Sequence, residues 1–521
     1  MQAKARAASG HRWTLLLVGT ACLLATVVYA QAPPTAYLRT PSPRQLEWHG
    51  LEYYAFVHFG PNTFSDEEWG RSQSTPDIFK PTDLDTDQWA KAFVNAGMAG
   101  MRACSALILT AKHHDGMALW DTNTTAYKIG SGNWARERVS KGLDGDVVRM
   151  AAASAKKYGI KFGIYLSPWD IHRDPAMPKE HLAGTAYDEP QIFGDASPGD
   201  YNDFYAQQLT ELVAMRLIDG SPVQLFEVWL DGASGSDTVQ TFDWTRFRDI
   251  IRQHQPDAIM WGHQGVDARW AGNEDGVTVA TNWHTIGRTQ DQAHYSGDQL
   301  QTGIRDGPYW TPAEADARLR SGWFYHSNEK PKTADALVGM YLQSVGRSVN
   351  LLLDVPPDTT GKVVKDDMDA LLNFKAQRDA FLGRNLLAPG LAVSASSIRG
   401  GNYTLYGPAN VLDGNYDTYW TMNDKETTGS LEVDLGGVHT VDAFIVQEHI
   451  ALGQRIGGYT IDVIVNGAFK TLVTGTSLGY KRIDKLSTRI ETSRIRLRIT
   501  QANATPLVNS FQVLGARKSS V

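Results

Sequence analysis

The sequence predicts a (β/α)8-like barrel followed by an all-β sandwich. Between about Glu52 and Pro357, short apolar runs alternate with segments of helical periodicity. Up to eight such runs occur, the number that closes a parallel barrel. Near residues 383–390 (GRNLLAPG) the helical periodicity stops, and period-two alternation continues to the C-terminus. A doubly wound open sheet is the competing fold for the first part. Neither a GxGxxG nor a P-loop pattern follows an early strand, so nucleotide binding lacks support.

YYAFVHFG (53–60) reads as a strand. DTDQWAKAFVNAG (85–97) reads as a helix, with Trp89 and Phe93 four apart and Gly97 as its stop. MRACSALILTAKH (101–113) is a strand, DVVRMAAASAKKYG (146–159) a helix and KFGIYLSPWD (161–170) a strand. YNDFYAQQLTELVAM (201–215) is a helix, LFEVWLDG (225–232) a strand, FDWTRFRDIIRQH (242–254) a helix and AIMWGH (258–263) a strand. VTVATNWH (277–284) and GWFYH (322–326) are weaker strand patterns. ALVGMYLQSVGRS (336–348) is a helix and NLLLDVPP (350–357) the last barrel strand. Beyond residue 385, SLEVDLG, DAFIVQEH, YTIDVIVNG, TSRIRLRIT and NSFQVLG alternate as strands of a sandwich of about 130 residues.

At 521 residues the chain is long enough for two or three domains. Lys4, Arg6 and Arg12, the apolar stretch Trp13–Val28 and the small residues of Val28-Tyr29-Ala30 read as a secretory leader cut after Ala30. The expected division is leader 1–30, barrel 31–385 and sandwich 386–521. The leader takes with it three basic and no acidic residues, which carries the net charge from −7 to −10. Such a surface argues against a nucleic-acid partner. No later segment is apolar for long enough to span a bilayer. An exported protein, periplasmic or extracellular and free of the membrane after processing, is the expectation. Cys104 is then the one remaining cysteine, a small buried hydrophobe in a strand, and no internal disulfide forms.

On a barrel, strand ends converge on the C-terminal rim, where barrel active sites lie. His58 ends the first strand; His113, His114 and Asp115 the second; Trp169 and Asp170 the third; Trp229 and Asp231 the fourth; His263 the fifth. Glu274 lies in the loop after it, Trp283 and His284 end the sixth, and Trp323, Tyr325 and His326 mark a later one. Adjacent residues on a strand face opposite ways, so His113 and His114 are poorly placed to share an ion, and neither HxH nor HExxH occurs. No active-site metal is expected. A serine nucleophile lacks its GxSxG elbow. Glycoside hydrolysis fits better: it needs two carboxylates flanking the bond, aromatic platforms and groups that bind hydroxyls. The residues alone do not choose Asp231 and Glu274 over Asp115, Asp170 or Asp275.

FVHFGPNTFSDEEWG (56–70), LTAKHHDGMALW (109–120), YLSPWD (165–170), VWLDG (228–232), GWFYH (322–326) and VGRSVNLLLDVPP (345–357) resemble glycoside hydrolase family 29, the α-L-fucosidases, over most of residues 45–380. The resemblance implies a retaining exo-α-L-fucosidase working by double displacement. Its nucleophile is the aspartate of the W-x-D-G motif, here Asp231. Its acid/base is Glu274, if WAGNEDG (270–276) and YLSPWD place the chain in the branch selective for α-1,3- and α-1,4-linked fucose. By the same resemblance His58, Glu68, Trp69, His113 and His114 bind fucose hydroxyls, Trp323 packs on the methyl, and Tyr165 and Trp229 line the pocket. Glu274 is expected to be protonated at rest, through burial and the nearby Asp231 charge. The adjacent histidines then meet different hydroxyls, provided the chain turns at Asp115-Gly116, with Asp115 a turn residue or supporting partner. The substrate would be a fucosylated glycan; the alternative is a catalytically silent fucose-binding protein.

VLDGNYDTYWTMND (411–424), SLEVDLGG (430–437) and the closing strands resemble a discoidin, or coagulation-factor type C, domain. Relatives of this kind bind carbohydrate and often hold one structural calcium, for which Asp413 and Asp417 are the candidate ligands; catalysis requires no cofactor. Trp420 is expected in the core, and the domain is expected to buttress the barrel or bind sugar weakly.

Overall fold

The computed structural model describes residues 32–517 apart from 71–73, 99–104, 176–181, 191, 193, 195–198, 233–239, 263 and 288–294. The expected leader, Cys104 and His263 lie outside the described residues. Among the described residues no helix is long and apolar enough to cross a membrane.

The barrel strands are β1 (Tyr53–Val57), β2 (Ala106–Lys112), β3 (Lys161–Leu166), β4 (Leu225–Trp229), β5 (Ile259–Trp261) and β6 (Arg269–Trp270), then β9 (Ala313–Arg318) and β10 (Asn350–Asp354). Between them β7 (Thr285–Ile286) and β8 (Tyr309–Trp310) form a small antiparallel pair. The main sheet runs β5-β4-β3-β2-β1-β10-β9-β6, with every neighbouring pair parallel. A parallel bridge between Trp261 and Ala268 joins its two edges into a nearly closed barrel. Both faces of these strands are covered, which is why they read as unbroken apolar runs.

The predicted helices form as Thr86–Asn95, Val147–Tyr158, Tyr201–Val213, Trp244–His254 and Ala334–Gln343. Each begins at a polar cap, respectively Asp85, Asp146, Asp200, Asp243 and Thr333, whose side-chain oxygen accepts a first-turn N–H. Each cap contributes about 1 kcal/mol.

Two expected strands are elsewhere. The sixth barrel strand is Arg269–Trp270, not 277–284, and the other is Ala313–Arg318, not 322–326. Segment 277–284 instead runs as an irregular strap with bends at 280, 281 and 284, and 322–326 is a loop past β9. Trp283 and His284 are therefore not rim residues. His284 is fully buried, with its ring 4.7 Å from that of His49 and its Nε2 3.0 Å from Ser348 Oγ.

The C-terminal part is one antiparallel sheet of β11 (Val393–Ala395), β12 (Trp420–Thr421), β13 (Gly429–Glu448), β14 (Ile456–Val465), β15 (Ala468–Gly475), β16 (Arg482–Ala502) and β17 (Leu507–Ala516). Its order is β12-β17-β13-β16-β14-β15, with β11 on β13. Register shifts near Asp434–His439 and Val441–Ala443 bend the two long strands, so the sheet closes over its own core. Trp420, Leu431, Phe444, Ile461 and Leu497 form that core, and Trp420 is fully buried. The sheet docks on the barrel through a buried Lys481–Glu52 ion pair (2.6 Å) and through Tyr480, which stacks on His49 (5.4 Å between centroids, 20° between planes).

Candidate active site

The C-terminal rim opens onto a cavity of about 430 Å³. Its wall contains His58, Trp69, His113, His114, Tyr165, Trp229, Asp231, Glu274 and Trp323.

His58 is the first residue past β1. Its backbone N–H donates to Asp354 Oδ1 (3.1 Å), and its Nδ1 lies 2.8 Å from the same oxygen. Asp354 ends β10, which pairs with β1, so strand register fixes the ring and leaves Nε2 for a ligand. Burial lowers the His58 pKa to about 4, which makes the ring neutral near pH 7.

β2 ends at Lys112, and the chain then turns. Gly116 N–H closes on the His113 carbonyl (3.1 Å), and Met117 N–H donates to Asp115 Oδ1 (2.9 Å). Gly116 has φ +86°, and a Cβ there would fall 2.2 Å from Asp170 Oδ1, so only glycine fits. The turn brings His113 and His114 to the same cavity with ring centroids 4.2 Å apart, rather than on opposite faces of a strand. Asp115 serves the turn. Under it, Asp170 pairs with Lys112 (3.0 Å), both fully buried. Burial raises the Asp170 pKa, but Lys112, His172 and Arg173 outweigh it and hold the carboxyl below its ordinary range.

His114 has a defined proton arrangement. Ser167 Oγ donates its hydrogen to the Trp169 carbonyl (2.6 Å), so towards His114 Nδ1 (2.7 Å) it can only accept. Nδ1 therefore carries the proton. Burial lowers the His114 pKa to about 4, so the ring is neutral and Nε2 is an acceptor. That nitrogen lies 3.4 Å from Asp231 Oδ2. His113 is also kept neutral by burial, and its Nδ1 has no hydrogen-bond partner among the described residues.

Asp231 stands two residues beyond β4, and its Oδ2 accepts the Tyr165 hydroxyl at 2.7 Å. Burial raises the Tyr165 pKa well above its ordinary value, so the phenol remains a donor. Tyr165 stacks on Trp229, which lies flat on Trp261 at 3.5 Å. Trp229 Nε1 crosses the barrel interior to Glu314 Oε1 on β9 (2.9 Å). The other Glu314 oxygen accepts from Tyr54, whose oxygen also lies 3.1 Å from Glu227 Oε2 and receives Trp48 Nε1–H (2.8 Å). Trp48 Nε1–H also reaches Glu227 Oε2 (3.1 Å). Burial lifts Glu227 well above the carboxylate range and Glu314 to about 7, and the two carboxyls share a proton.

Glu274 follows β6 in the loop WAGNEDG. Its side chain is 46% exposed and lies 3.7 Å from Arg318, so it is not buried as expected. Arg318 also covers the Trp323 ring at 5.3 Å.

Glu68 stands beside the cavity wall. It does not line the cavity; its carboxylate accepts Trp323 N–H (2.7 Å) and Phe324 N–H (3.2 Å) and meets His326 Nε2 (2.6 Å). It thereby holds the loop that carries Trp323. Trp69 beside it does face the cavity, with its ring edge-on to those of His114 and Trp169.

Phe56, Trp261, Trp270, Tyr295, Leu300 and Asp316 also line the cavity and are not among the residues the sequence singles out. Trp270 adjoins the loop of Glu274 and Trp261 ends β5, so position could flag both. Asp316 lies in a strand that no apolar run marks. It accepts Trp270 Nε1–H (2.9 Å), and burial followed by the Glu274 charge raises its pKa well above the carboxylate range.

In the C-terminal loop, Asp413 Oδ1 accepts Asn415 N–H and Oδ2 accepts the Thr418 hydroxyl, each at 2.7 Å. Both oxygens thus serve the loop itself, and among the described residues no group of three His, Cys, Asp or Glu side chains could hold an ion.

A parallel barrel with an aromatic-walled rim cavity that presents carboxylates and neutral imidazoles has the make-up of a glycoside hydrolase. Residues 39–376 match the α-L-fucosidase family model and residues 392–511 the F5/8 type C domain model. The chain belongs to the α-L-fucosidase family, glycoside hydrolase family 29, and carries a C-terminal F5/8 type C domain. It is 35% identical over 482 residues to α-L-fucosidase 1 of Arabidopsis thaliana, covering 91% of this chain and 87% of that one. Among solved structures, SpGH29 superposes with TM-score 0.82 at 30% identity, covering 93% of this chain and all of the other. A Ruminococcus gnavus GH29 fucosidase in complex with fucose gives TM-score 0.80 at 29% identity, covering 94% and 97%.

Proposed function

We propose that the protein is a retaining exo-α-L-fucosidase that releases terminal α-1,3- or α-1,4-linked fucose from glycans outside the cytoplasm. The observation that carries this reading is Asp231 at the end of β4, hydrogen-bonded through one oxygen to Tyr165, in the same cavity as Glu274.

In the first step one Asp231 oxygen attacks the anomeric carbon and the glycosidic C–O bond breaks. Glu274 gives its proton to the departing oxygen, and a covalent fucosyl ester forms. In the second step Glu274, now a carboxylate, takes a proton from water. The hydroxide attacks the anomeric carbon and Asp231 leaves. Tyr165 directs the attack to the other Asp231 oxygen, because Oδ2 is already engaged. His58 Nε2 and the acceptor His114 Nε2 suit sugar hydroxyls, and the buried His113 Nδ1 gains a partner in a bound sugar. Trp323, fixed by Glu68, offers a flat apolar face to the fucose methyl.

The test is hydrolysis of a panel of defined fucosylated oligosaccharides, with Asp231→Ala and Glu274→Ala alongside. Fucose release from Lewis-type trisaccharides is expected from the wild type and none from Asp231→Ala. Azide should partly restore Glu274→Ala and yield α-L-fucosyl azide. Near-normal turnover by Glu274→Ala without azide would place the acid elsewhere and remove the basis for the linkage assignment.

A further inference from the structure

The loop that bears Glu274 is held at both ends by β9, and the segment that leaves it is gripped by the C-terminal domain. At its start, Ala271 N–H donates to the Glu314 carbonyl of β9 (2.8 Å). Inside the loop, the Asn273 amide bridges the Ala271 (3.3 Å) and Val277 (3.1 Å) carbonyls. Gly276 then docks on β9, its N–H on the Asp316 carbonyl (3.1 Å). Its φ is +67°, and a Cβ there would fall 2.7 Å from Met340 and 2.8 Å from Ala317, so only glycine fits.

The loop leads directly into the strap 277–284, which both parts of the chain hold. On the barrel side, Thr278 N–H reaches the Gln343 carbonyl (2.9 Å) and the Thr278 carbonyl accepts from Arg347. Trp283 N–H also reaches the Thr302 carbonyl (2.7 Å), and Arg269 donates to the Trp283 carbonyl (3.0 Å). From Ala280 onward the C-terminal sheet and its loops add a second set of partners. Arg482 donates to the Ala280 carbonyl (2.7 Å), and Thr476 Oγ1 meets Thr281 Oγ1 (2.7 Å). Asn282 N–H donates to Ser477 Oγ (2.9 Å). Gln454 closes the set: its amide donates to the Asn282 carbonyl (3.1 Å) and its oxygen accepts His284 N–H (2.9 Å). Trp283 packs over Gly457, where a Cβ would meet the indole at 3.5 Å.

The domain also ties to the barrel away from the strap, through Lys481 to Glu52, Tyr480 on His49 and Ile483 N–H on the Gly346 carbonyl (2.9 Å). The strap contacts differ from these in gripping the connection that leaves the Glu274 loop. Glu274 is nearly half exposed and lies 3.7 Å from Arg318, so little local packing fixes it; its loop ends do.

We propose that the C-terminal domain is a positioning element of the active site, setting Glu274 through Gln454, Ser477 and Arg482 acting on the strap 277–284. This rests on Glu274 being the acid/base, and the experiment separates the two ideas. Departure of a sugar alcohol needs a well-placed acid, whereas departure of fluoride from α-L-fucosyl fluoride does not. The kcat ratio between a Lewis-type trisaccharide and the fluoride therefore reports acid placement. Because both substrates meet the same folded molecules, a loss of folded protein cancels in the ratio.

The ratio is measured in the full chain for wild type, Gln454→Ala/Ser477→Ala, Arg482→Met and Glu274→Ala. Displacements of about 1 Å cost on the order of 100-fold in rate. A looser strap is expected to lower the ratio at least about tenfold, in the same direction as Glu274→Ala. Wild-type ratios in both strap variants, with a lowered ratio in Glu274→Ala, would overturn the positioning role and leave the acid assignment standing. An unchanged ratio in Glu274→Ala itself would overturn the assignment of Glu274.

Discussion

Tyr165 donates its hydroxyl to Asp231 Oδ2 at 2.7 Å, and the same oxygen lies 3.4 Å from an imidazole nitrogen of His114 that carries no proton. The phenol is thus a strong donor at that oxygen. A hydrogen bond to a charged group contributes about 1.5–3 kcal/mol. Tyr165→Phe should lower kcat about tenfold or more and leave KM nearly unchanged, read from steady-state rates on a fucosylated trisaccharide. An unchanged kcat would mean that the phenol does not orient the carboxylate.

The Asp66–His326–Glu68 clamp should respond to pH. Burial lowers the His326 pKa, but hydrogen bonds to Asp66 and Glu68 more than offset this, and the net shift is upward. A raised folded pKa gives stabilisation that is fully present below about 6.5, the unfolded value, and is lost as pH rises through the folded value. The Trp323 loop should therefore loosen on the alkaline side, with KM rising there. His326→Gln should remove that rise; a KM profile identical to wild type would contradict it.

Glu314 should matter through Trp229. Glu314→Leu leaves Trp229 Nε1 without its acceptor and Glu227 without its proton partner, at a cost of about 1–3 kcal/mol. Glu314→Gln keeps an acceptor for the indole and a donor for the pair. Thermal unfolding should show a clear loss for leucine and a much smaller one for glutamine. Equal losses would show that volume, not hydrogen bonding, is what the site requires.

Much of this fold is legible in the sequence, for physical reasons that particular elements show. Helices such as Val147–Tyr158 carry an apolar stripe, an Asp cap and a glycine stop, so local signals agree. Strand β9, Ala313–Arg318, is hidden because it inverts the usual pattern. Glu314 and Asp316 point into the barrel interior to meet Trp229 and Trp270, and the intervening positions are alanines. An apolar-run criterion cannot find a strand whose inward side chains are acids. Segment 277–284 misleads in the opposite way: its period-two alternation belongs to an irregular strap gripped by a second domain, which no local signal reports. At the site, the motif residues Asp231, His58, His113 and His114 do reach one cavity. Glu68 also ties two loops together, a contact hidden in the sequence, which places it beside Trp69 but cannot say which neighbour its carboxylate will find.

A covalent bond between Asp231 and fucose is the centre of the proposed chemistry, and trapping tests it most directly. The protein is incubated with 2-deoxy-2-fluoro-α-L-fucosyl fluoride, whose 2-fluorine slows hydrolysis of the intermediate. It is then digested and the labelled peptide is sequenced by mass spectrometry. One fluorofucosyl group per chain, esterified to Asp231 and absent from Asp231→Ala, is the expected result. A label on another carboxylate, or inactivation with no covalent adduct, would contradict it.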